Sequence, residues 1–83
     1  MPGTSRVELF HRIAETDSAE ARRRIAELGV TEVVEFRNVA FESHRAALAA
    51  RGGEQTPALW DGTQLHVGRE LVLTALERLA RAR

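Results

Sequence analysis

The chain has 83 residues, a length that suits a single domain able to bury roughly 60% of the surface its unfolded form exposes. Its 12 basic residues, all arginine, balance 12 acidic ones, so charge gives no reason to expect a nucleic acid or an acidic membrane as partner. The lack of cysteine excludes disulfides, thiolate metal sites and thiol chemistry in this chain. Short apolar runs and the absence of a secretory signal pattern predict a cytoplasmic protein without a membrane span. Residues 1–6 are expected to be disordered.

The first third of the chain predicts a buried strand followed by an amphipathic helix. The strand is Val7–His11, which is short and rich in β-forming residues. The segment from Asp17 to Glu20 has the form of a capping box, so Asp17 and Ser18 are interpreted as helix-capping residues. Gly29 ends the helix, because glycine tolerates the left-handed conformation of a C-terminal cap. The predicted apolar face of this helix consists of Ala21, Ile25 and Leu28.

The middle of the chain predicts a second strand and a second helix. The strand is Glu32–Phe36, and a crossover through one helix makes it parallel to the first strand. The helix is predicted at residues 40–51, with Asn38 or Ser43 as its N-terminal cap. Its main apolar anchors are seven residues apart, Phe41 and Leu48.

The last third predicts a β-hairpin followed by a third helix. Strands Ala58–Trp60 and Gln64–Val67 flank Asp61-Gly62, a residue pair typical of a tight turn, and should be antiparallel. The helix carries an apolar stripe at helical spacing: Leu71, Ala75, Leu76 and Leu79. The element order βαβαββα predicts an α/β fold in which three helices pack on a four-stranded mixed sheet.

Three local motifs accompany this order: the first strand Val7-Glu8-Leu9-Phe10, the loop Gln55-Thr56-Pro57 and the turn Asp61-Gly62. Together they make the chain resemble the glutaredoxins, whose proline loop reads Thr-Val-Pro. Glutaredoxins are a branch of the thioredoxin fold that also forms the N-terminal domain of glutathione transferases. The resemblance implies a single glutaredoxin-like domain over residues 1–83, a thioredoxin-like fold and a cis Thr56–Pro57 bond.

The chain departs from that family at the reactive motif. Counted back from Gly29, the family's Cys-Pro-Tyr-Cys falls on Glu15-Thr16-Asp17-Ser18. In the family, the dipole of the first helix lowers the pKa of the first cysteine and makes it a thiolate nucleophile. A carboxylate at Glu15 shares that dipole but has no useful nucleophilicity toward a disulfide, and the Ser18 hydroxyl keeps its proton near neutral pH. The resemblance therefore implies a redox-inactive domain without thiol–disulfide oxidoreductase activity.

The resemblance also implies a candidate ligand surface that consists of Arg12, Thr16, Gln55, Thr56 and Pro57. In glutaredoxins the backbone of the proline loop pairs with glutathione. Arg12 takes the place of a family lysine, and together with Arg37 and Gln55 it could bind a carboxylate of the ligand. The family's second glutathione-binding segment is shortened here to Gly68-Arg69-Glu70, and the acidic residues in the motif would repel the anionic ends of the ligand. We therefore expect no cofactor, with glutathione as the less favoured ligand.

Two functions follow from the resemblance. The first is a binding module that holds an unidentified protein or peptide segment alongside the proline loop, as a monomer or weak homodimer. The alternative is a glutathione-binding or transferase-like protein in which Thr16 or Ser18 donates a hydrogen bond to the bound thiolate. An exposed Trp60 would serve the first function as a partner anchor, whereas a Trp60 packed in the core or at an edge needs no ligand.

Other candidate sites are weaker. His11, His44 and His66 do not share a metal-binding spacing, so each is expected to be a surface or strand-end histidine. A hydrolase can be imagined from Ser18, His11 and Asp17, but sequence neighbours rarely converge in triad geometry. The sequence therefore favours neither a metal site nor a hydrolase.

Overall fold

A computed structural model describes residues 7–83, so the expectation of disorder at residues 1–6 lies outside the described residues. The elements are β1 (Val7–His11), α1 (Thr16–Leu28), a 3-10 helix (Thr31–Val33), β2 (Val34–Asn38), α2 (Glu42–Ala50), β3 (Ala58–Trp60), β4 (Leu65–Val67) and α3 (Arg69–Arg81). The predicted order and the α/β class with three α-helices and a four-stranded mixed sheet are confirmed for these residues. Within the same range, no helix has the length and apolar character needed to cross a membrane.

The four strands form one sheet in the order β2-β1-β3-β4. β1 and β2 are parallel in a register that pairs Leu9 with Phe36, as expected for strands joined by one helical crossover. β3 is antiparallel to both β1 and β4, which confirms the predicted antiparallel hairpin. β2 and β4 are therefore the edge strands, and the carboxyl ends of β1 and β2 lie at the same end of the sheet.

β1 is buried on both faces because helices cover both sides of the sheet. Leu9 lies in a core beneath α1 and α3, whereas Phe10 points to the opposite face and lies in a second core beneath α2. Both side chains are fully buried. The first core also contains Ala21, Ile25, Val30, Val34, Leu59, Val72, Ala75 and Leu76, and the second also contains Val39, Leu48 and Ala58.

Helix α1 begins before the predicted cap. Its N-cap residue is Glu15, whose side chain accepts no capping hydrogen bond from a backbone N–H of the first turn. The capping-box interpretation is therefore wrong, since Asp17 and Ser18 lie inside the first turn. Glu20 does not reach back either, because its carboxylate receives two hydrogen bonds of 2.7 Å from Arg69 at the start of α3.

The turn after α1 shifts β2 along the chain. Gly29 adopts the left-handed conformation, with φ of 72°, as predicted for a C-terminal cap. Thr31–Val33 then form a 3-10 helix, so β2 covers Val34–Asn38 instead of the predicted Glu32–Phe36. The short helix lets the chain turn so that the first residue of β2 enters the core beneath α1.

Helix α2 covers Glu42–Ala50, with Phe41 as its N-cap residue. Neither predicted cap is used: Ser43 lies inside the helix, and Asn38 Oδ1 accepts a backbone N–H of the preceding turn at 2.9 Å. Phe41 is 62% exposed, so its predicted anchoring role is wrong, whereas Leu48 is buried as predicted. A residue that precedes a helix does not follow its periodicity, which explains the error.

Two smaller differences concern the hairpin and α3. The hairpin loop covers residues 61–64, and β4 begins at Leu65, because the Asp61 carboxylate accepts two backbone N–H groups of the loop at 2.8 Å. In α3, Val72 is buried and Leu71 is exposed, so the predicted stripe is wrong at its first position. The other positions of the stripe are buried or half-buried.

Candidate functional site

Three segments meet at the carboxyl end of β1: the loop after β1, the first turn of α1 and the loop before β3. The Thr56–Pro57 bond is cis, as the resemblance implied. Pro57 is buried, and its carbonyl accepts the N–H of Gly68 at 2.9 Å, which anchors the loop before β3. Arg22 of α1 donates to two carbonyls of the loop after β1 at 3.2 and 3.3 Å. Both loops are therefore held by contacts with the helices.

Four side chains connect these segments, and we call them the Glu15 cluster: Arg12, Glu15, Ser18 and Thr56. The Glu15 carboxylate accepts hydrogen bonds from the Ser18 hydroxyl and, at 2.8 Å, from the Thr56 hydroxyl. The backbone N–H of Arg12 donates to Ser18 Oγ at 3.1 Å, and its guanidinium donates to Thr56 Oγ1 at 2.9 Å. Each hydroxyl therefore both donates and accepts, so neither is left unsatisfied.

The Glu15 cluster holds a carboxylate at the N-terminus of α1 and offers no nucleophile. The positive end of the helix dipole stabilises the negative charge of the N-cap residue Glu15. Ser18 is fully buried and its proton is directed at Glu15, so its hydroxyl is not available to a ligand. Arg12 is exposed, and its guanidinium is linked to the carboxylate through the Thr56 hydroxyl. The cluster therefore ties two loops together and presents a guanidinium to solvent.

Three of the five predicted site residues lie together in this arrangement. Arg12 and Thr56 are hydrogen-bonded to each other, and Pro57 directly follows Thr56. Thr16 and Gln55 are exposed, and neither side chain is hydrogen-bonded to another residue of the described range. Sequence reasoning missed the part played by Glu15 and Ser18, although both stand in the motif that the resemblance singles out.

The backbone of the loop before Pro57 carries free hydrogen-bonding groups. Between residues 7 and 83, no group pairs with the N–H or C=O of Glu54, Gln55 or Thr56. Glu54 and Gln55 are exposed, and Thr56 is half-buried. In the free protein water must satisfy these groups, and an extended peptide can replace that water.

A second cluster, which we call the Glu8 cluster, lies on the α2 face of the sheet. Glu8 is buried, and its Oε2 lies 3.3 Å from Nη2 of both Arg37 and Arg51. The Arg51 guanidinium also covers Trp60, 4.2 Å from the ring centroid. Glu8 Oε1 and Arg37 Nε are buried without a partner among the described residues. Arg37 therefore binds Glu8 and does not lie with Arg12 in the predicted ligand surface. Trp60 is half-buried and covered by the Arg51 guanidinium, so it is not an exposed anchor for a partner.

The sequence did contain one signal for this second cluster. Glu8 stands in the middle of a strand that was predicted to be buried on both faces. A carboxylate in such a strand needs charged or hydrogen-bonding partners. Its position alone could not tell which arginines supply them.

The histidine at the end of β1 is buried, so it is a strand-end residue but not a surface one. His11 Nδ1 lies 3.0 Å from Arg22 Nη1, and since arginine can only donate, the imidazole accepts there. Burial, then Arg22, then His44 lower the pKa of His11. Ser18 donates to Glu15, so a Ser/His/Asp triad is not formed. Over residues 7–83, the His, Asp and Glu side chains form no group of three that could hold a metal ion.

His66 belongs to a separate surface beside α3. Its Nε2 lies 2.8 Å from Asp61 Oδ2. Burial alone would raise the pKa of Asp61, but hydrogen bonds from the backbone of Gln64, from His66 and from the backbone of Thr63 outweigh burial, and the pKa is lowered. The pair lines a cavity of about 220 Å³ whose other walls are Ala75, Arg78 and Leu79. Both carboxylate oxygens of Asp61 are occupied, so this residue stabilises the hairpin loop.

The carboxyl end of β1 thus combines an exposed guanidinium, a loop with free backbone groups and a satisfied hydrogen-bond network. These features fit non-covalent binding better than covalent chemistry, because the Ser18 hydroxyl is fully buried and cannot reach a ligand. The chain matches no protein-family model, no curated protein and no solved structure.

Proposed function

We propose that this chain is a thioredoxin-like domain of the glutaredoxin type that binds an extended protein or peptide segment along residues 54–56. The observation that carries the proposal is a run of three residues beside Arg12 whose backbone groups have no partner between residues 7 and 83. The order βαβαββα, the strand order β2-β1-β3-β4 and the position of Pro57 before β3 support the fold assignment. A cytoplasmic location remains a prediction of the sequence.

The loop before Pro57 is held in one shape without a partner. Thr56 is tied to Glu15 at 2.8 Å, and the carbonyl of Pro57 accepts the N–H of Gly68 at 2.9 Å. Binding to a preformed edge loses little conformational entropy on the side of the protein. The affinity would come from main-chain hydrogen bonds, as in the addition of a strand to a sheet edge.

Two side chains next to the loop can add selectivity. Arg12 uses one N–H of its guanidinium on Thr56, and the remaining donors are available to a carboxylate. Ile13, the next residue along the chain, is 64% exposed and offers an apolar contact. A segment with one acidic and one apolar side chain would therefore make three kinds of contact with this surface: an ion pair with Arg12, an apolar contact with Ile13 and backbone hydrogen bonds with the loop.

The alternative, a glutathione-binding or transferase-like protein, depends on Thr16. Ser18 is fully buried and donates to Glu15, so only Thr16 offers an exposed hydroxyl. Glu15 occupies the position that the resemblance assigns to the reactive cysteine. A bound thiolate beside this carboxylate would bring two negative charges together, which weakens binding. We therefore favour the peptide.

A peptide display selection on the immobilised full chain supplies the probe for a test. Titration of the selected peptide into isotope-labelled protein should give saturable NMR shifts at Arg12, Gln55 and Thr56, with α3 unaffected. Arg12→Ala should weaken binding about tenfold, because one charge-assisted hydrogen bond is lost. Arg81→Ala, which removes another exposed arginine, serves as the matched control and should leave the affinity unchanged.

The absence of any enriched peptide, or shifts confined to another surface, contradicts the proposal. A parallel titration with reduced glutathione decides the alternative. Saturable shifts at the same residues that disappear in Thr16→Val would favour the glutathione-binding function, and an unchanged spectrum would remove it.

A further inference from the structure

β2 is an edge strand whose outer side can pair with a second copy of itself. We propose that the chain self-associates through an antiparallel, two-fold contact between the β2 strands of two copies, centred on Phe36. The contact joins the two sheets into one continuous sheet. It lies apart from the loop before Pro57, so it does not depend on peptide binding.

Within residues 7–83, the backbone groups of β2 that no neighbouring strand binds occur at alternate residues. The N–H of Val39 donates to the carbonyl of His11 at 3.0 Å, so the amide of residue 39 points toward β1. Because consecutive residues of a strand direct their backbone groups to opposite edges, those of Val34, Phe36 and Asn38 point away from β1. A two-fold axis at Phe36 pairs these residues with one another, Phe36 with Phe36 and Val34 with Asn38.

The groups already used inside the chain do not disturb this pairing. The N–H of Val34 donates to Thr31, and the carbonyl of Asn38 accepts the N–H of Phe41 at 3.1 Å. In the proposed register these two groups face each other, so neither is needed for an intermolecular bond. The Phe36 residues can exchange a pair of hydrogen bonds, and each Asn38 N–H can donate to the opposite Val34 carbonyl.

The charges of β2 are self-complementary under the two-fold axis. Glu35 and Arg37 flank Phe36, so Glu35 of each copy lies opposite Arg37 of the other. These are non-hydrogen-bonded positions, where opposed side chains approach most closely and opposite charges stabilise the pair. An edge strand that is protected from self-pairing places like charges opposite each other when two copies meet. β2 instead places a glutamate opposite an arginine.

Arg37 is held only loosely within one copy. Its Nη2 lies 3.3 Å from Glu8 and 3.4 Å from Glu35, longer than the ~2.7–2.9 Å of a charge-assisted hydrogen bond. Its Nε lacks an acceptor among the described residues. The Glu35 side chain is 40% exposed. A second Glu35 would therefore supply an acceptor that the single copy provides only weakly.

Phe36 adds an apolar contact at the centre of the pairing. It is 37% exposed, and its ring contacts His11 at a centroid distance of 5.9 Å, so part of the ring is free at the edge of the sheet. Two aromatic rings directly opposite each other favour strand pairing. The other edge strand, β4, has three residues and no acidic and basic pair, which makes it the poorer surface.

The contact involves one five-residue strand from each copy, so we expect a weak dimer that forms at high concentration. Sedimentation equilibrium of the full chain up to millimolar concentration should show reversible dimerisation. Glu35→Arg places arginines opposite each other in both charge pairs and should weaken the dimer by at least about tenfold. Glu32→Arg makes the same charge change at an exposed residue outside β2 and should have no effect.

Phe36→Pro provides a second, independent test. The substitution removes an N–H that points away from β1, a position at which an edge strand tolerates proline, and should abolish the dimer. If this variant fails to fold, Glu35→Arg decides alone, because the Glu35 side chain is 40% exposed and lies outside both cores. A wild-type chain that stays monomeric, a dimer that survives Glu35→Arg, or an equal loss in Glu32→Arg overturns the proposal.

Discussion

Ser18→Ala tests whether the Glu15 cluster stabilises the domain. Ser18 is fully buried, accepts the N–H of Arg12 at 3.1 Å and donates to Glu15. The substitution removes both hydrogen bonds at once and leaves the Arg12 N–H without its acceptor. It also weakens the link between the loop after β1 and the first turn of α1.

The expected loss is the sum of three contributions. A hydrogen bond to a charged group contributes about 1.5–3 kcal/mol, and a partly buried N–H without an acceptor costs about 1 kcal/mol. The better helix propensity of alanine offsets roughly 0.5 kcal/mol. The free energy of unfolding should therefore fall by about 2–3.5 kcal/mol. For a domain of this size, that corresponds to a decrease of roughly 8–28 °C in Tm.

Urea and thermal denaturation followed by circular dichroism measure this loss. Ser43→Ala is the matched control, because Ser43 is an exposed serine in the first turn of α2, and it should change stability by less than about 0.5 kcal/mol. Asp17→Ala separates the cluster from helix capping: a capping Asp17 would cost about 1 kcal/mol, whereas the observed first-turn position predicts only about 0.3 kcal/mol.

Two results would refute this reasoning. A Ser18→Ala variant within about 0.5 kcal/mol of the wild type would show that the cluster does not stabilise the domain. An Asp17→Ala variant that loses as much stability as Ser18→Ala would restore the capping interpretation.

Three further predictions concern the cores and the buried charges. Leu48→Ala should cost about 2–5 kcal/mol in urea denaturation, because Leu48 of α2 is buried in the second core, whereas Phe41→Ala should cost less than about 0.5 kcal/mol. The lowered pKa of His11 means that protonation of His11 opposes folding. The free energy of unfolding should therefore fall as the pH decreases below about 6.5, and it should fall by less in His11→Gln. An equal dependence of stability on pH in both proteins would contradict this prediction. Arg51→Ala should cost about 1–2 kcal/mol, because it removes a cation from the Trp60 ring and from buried Glu8. It should also change the fluorescence of Trp60, the only tryptophan of the chain. An unchanged spectrum would argue against the contact between Arg51 and the Trp60 ring.

Features that depend on a few neighbouring residues were predicted well from the sequence. β1 was predicted with its observed bounds, because its β-forming residues follow Gly3-Thr4-Ser5 and precede the connection to the first helix. Gly29 ends α1 for a reason intrinsic to glycine, which adopts positive φ without a steric penalty. The hairpin was also predicted, although its loop is longer, because Asp61 binds two backbone N–H groups beyond the turn pair.

Features that depend on distant contacts were not predicted. Glu20 pairs with Arg69, 49 residues away, and not with its own helix, because α1 and α3 pack side by side. Phe41 and Leu71 have the apolar character of core residues but are exposed, whereas Val72, next to Leu71, is fully buried. Hydrophobicity alone does not state which helix face meets the sheet.

By itself, the amino-acid sequence determined the element order, the parallel pairing of β1 with β2, the antiparallel pairing of β3 with β4 and the absence of thiol chemistry, because these follow from local periodicity, short connections and composition. The tertiary structure decided what Glu15 does. Its partner Thr56 is 41 residues away, and the two meet only when the loop before β3 packs against the first turn of α1. Likewise, the sequence did not show that the backbone N–H and C=O of Phe36 point away from the sheet. This follows from the position of β2 at the edge, because pairing with β1 determines which backbone groups of β2 remain free.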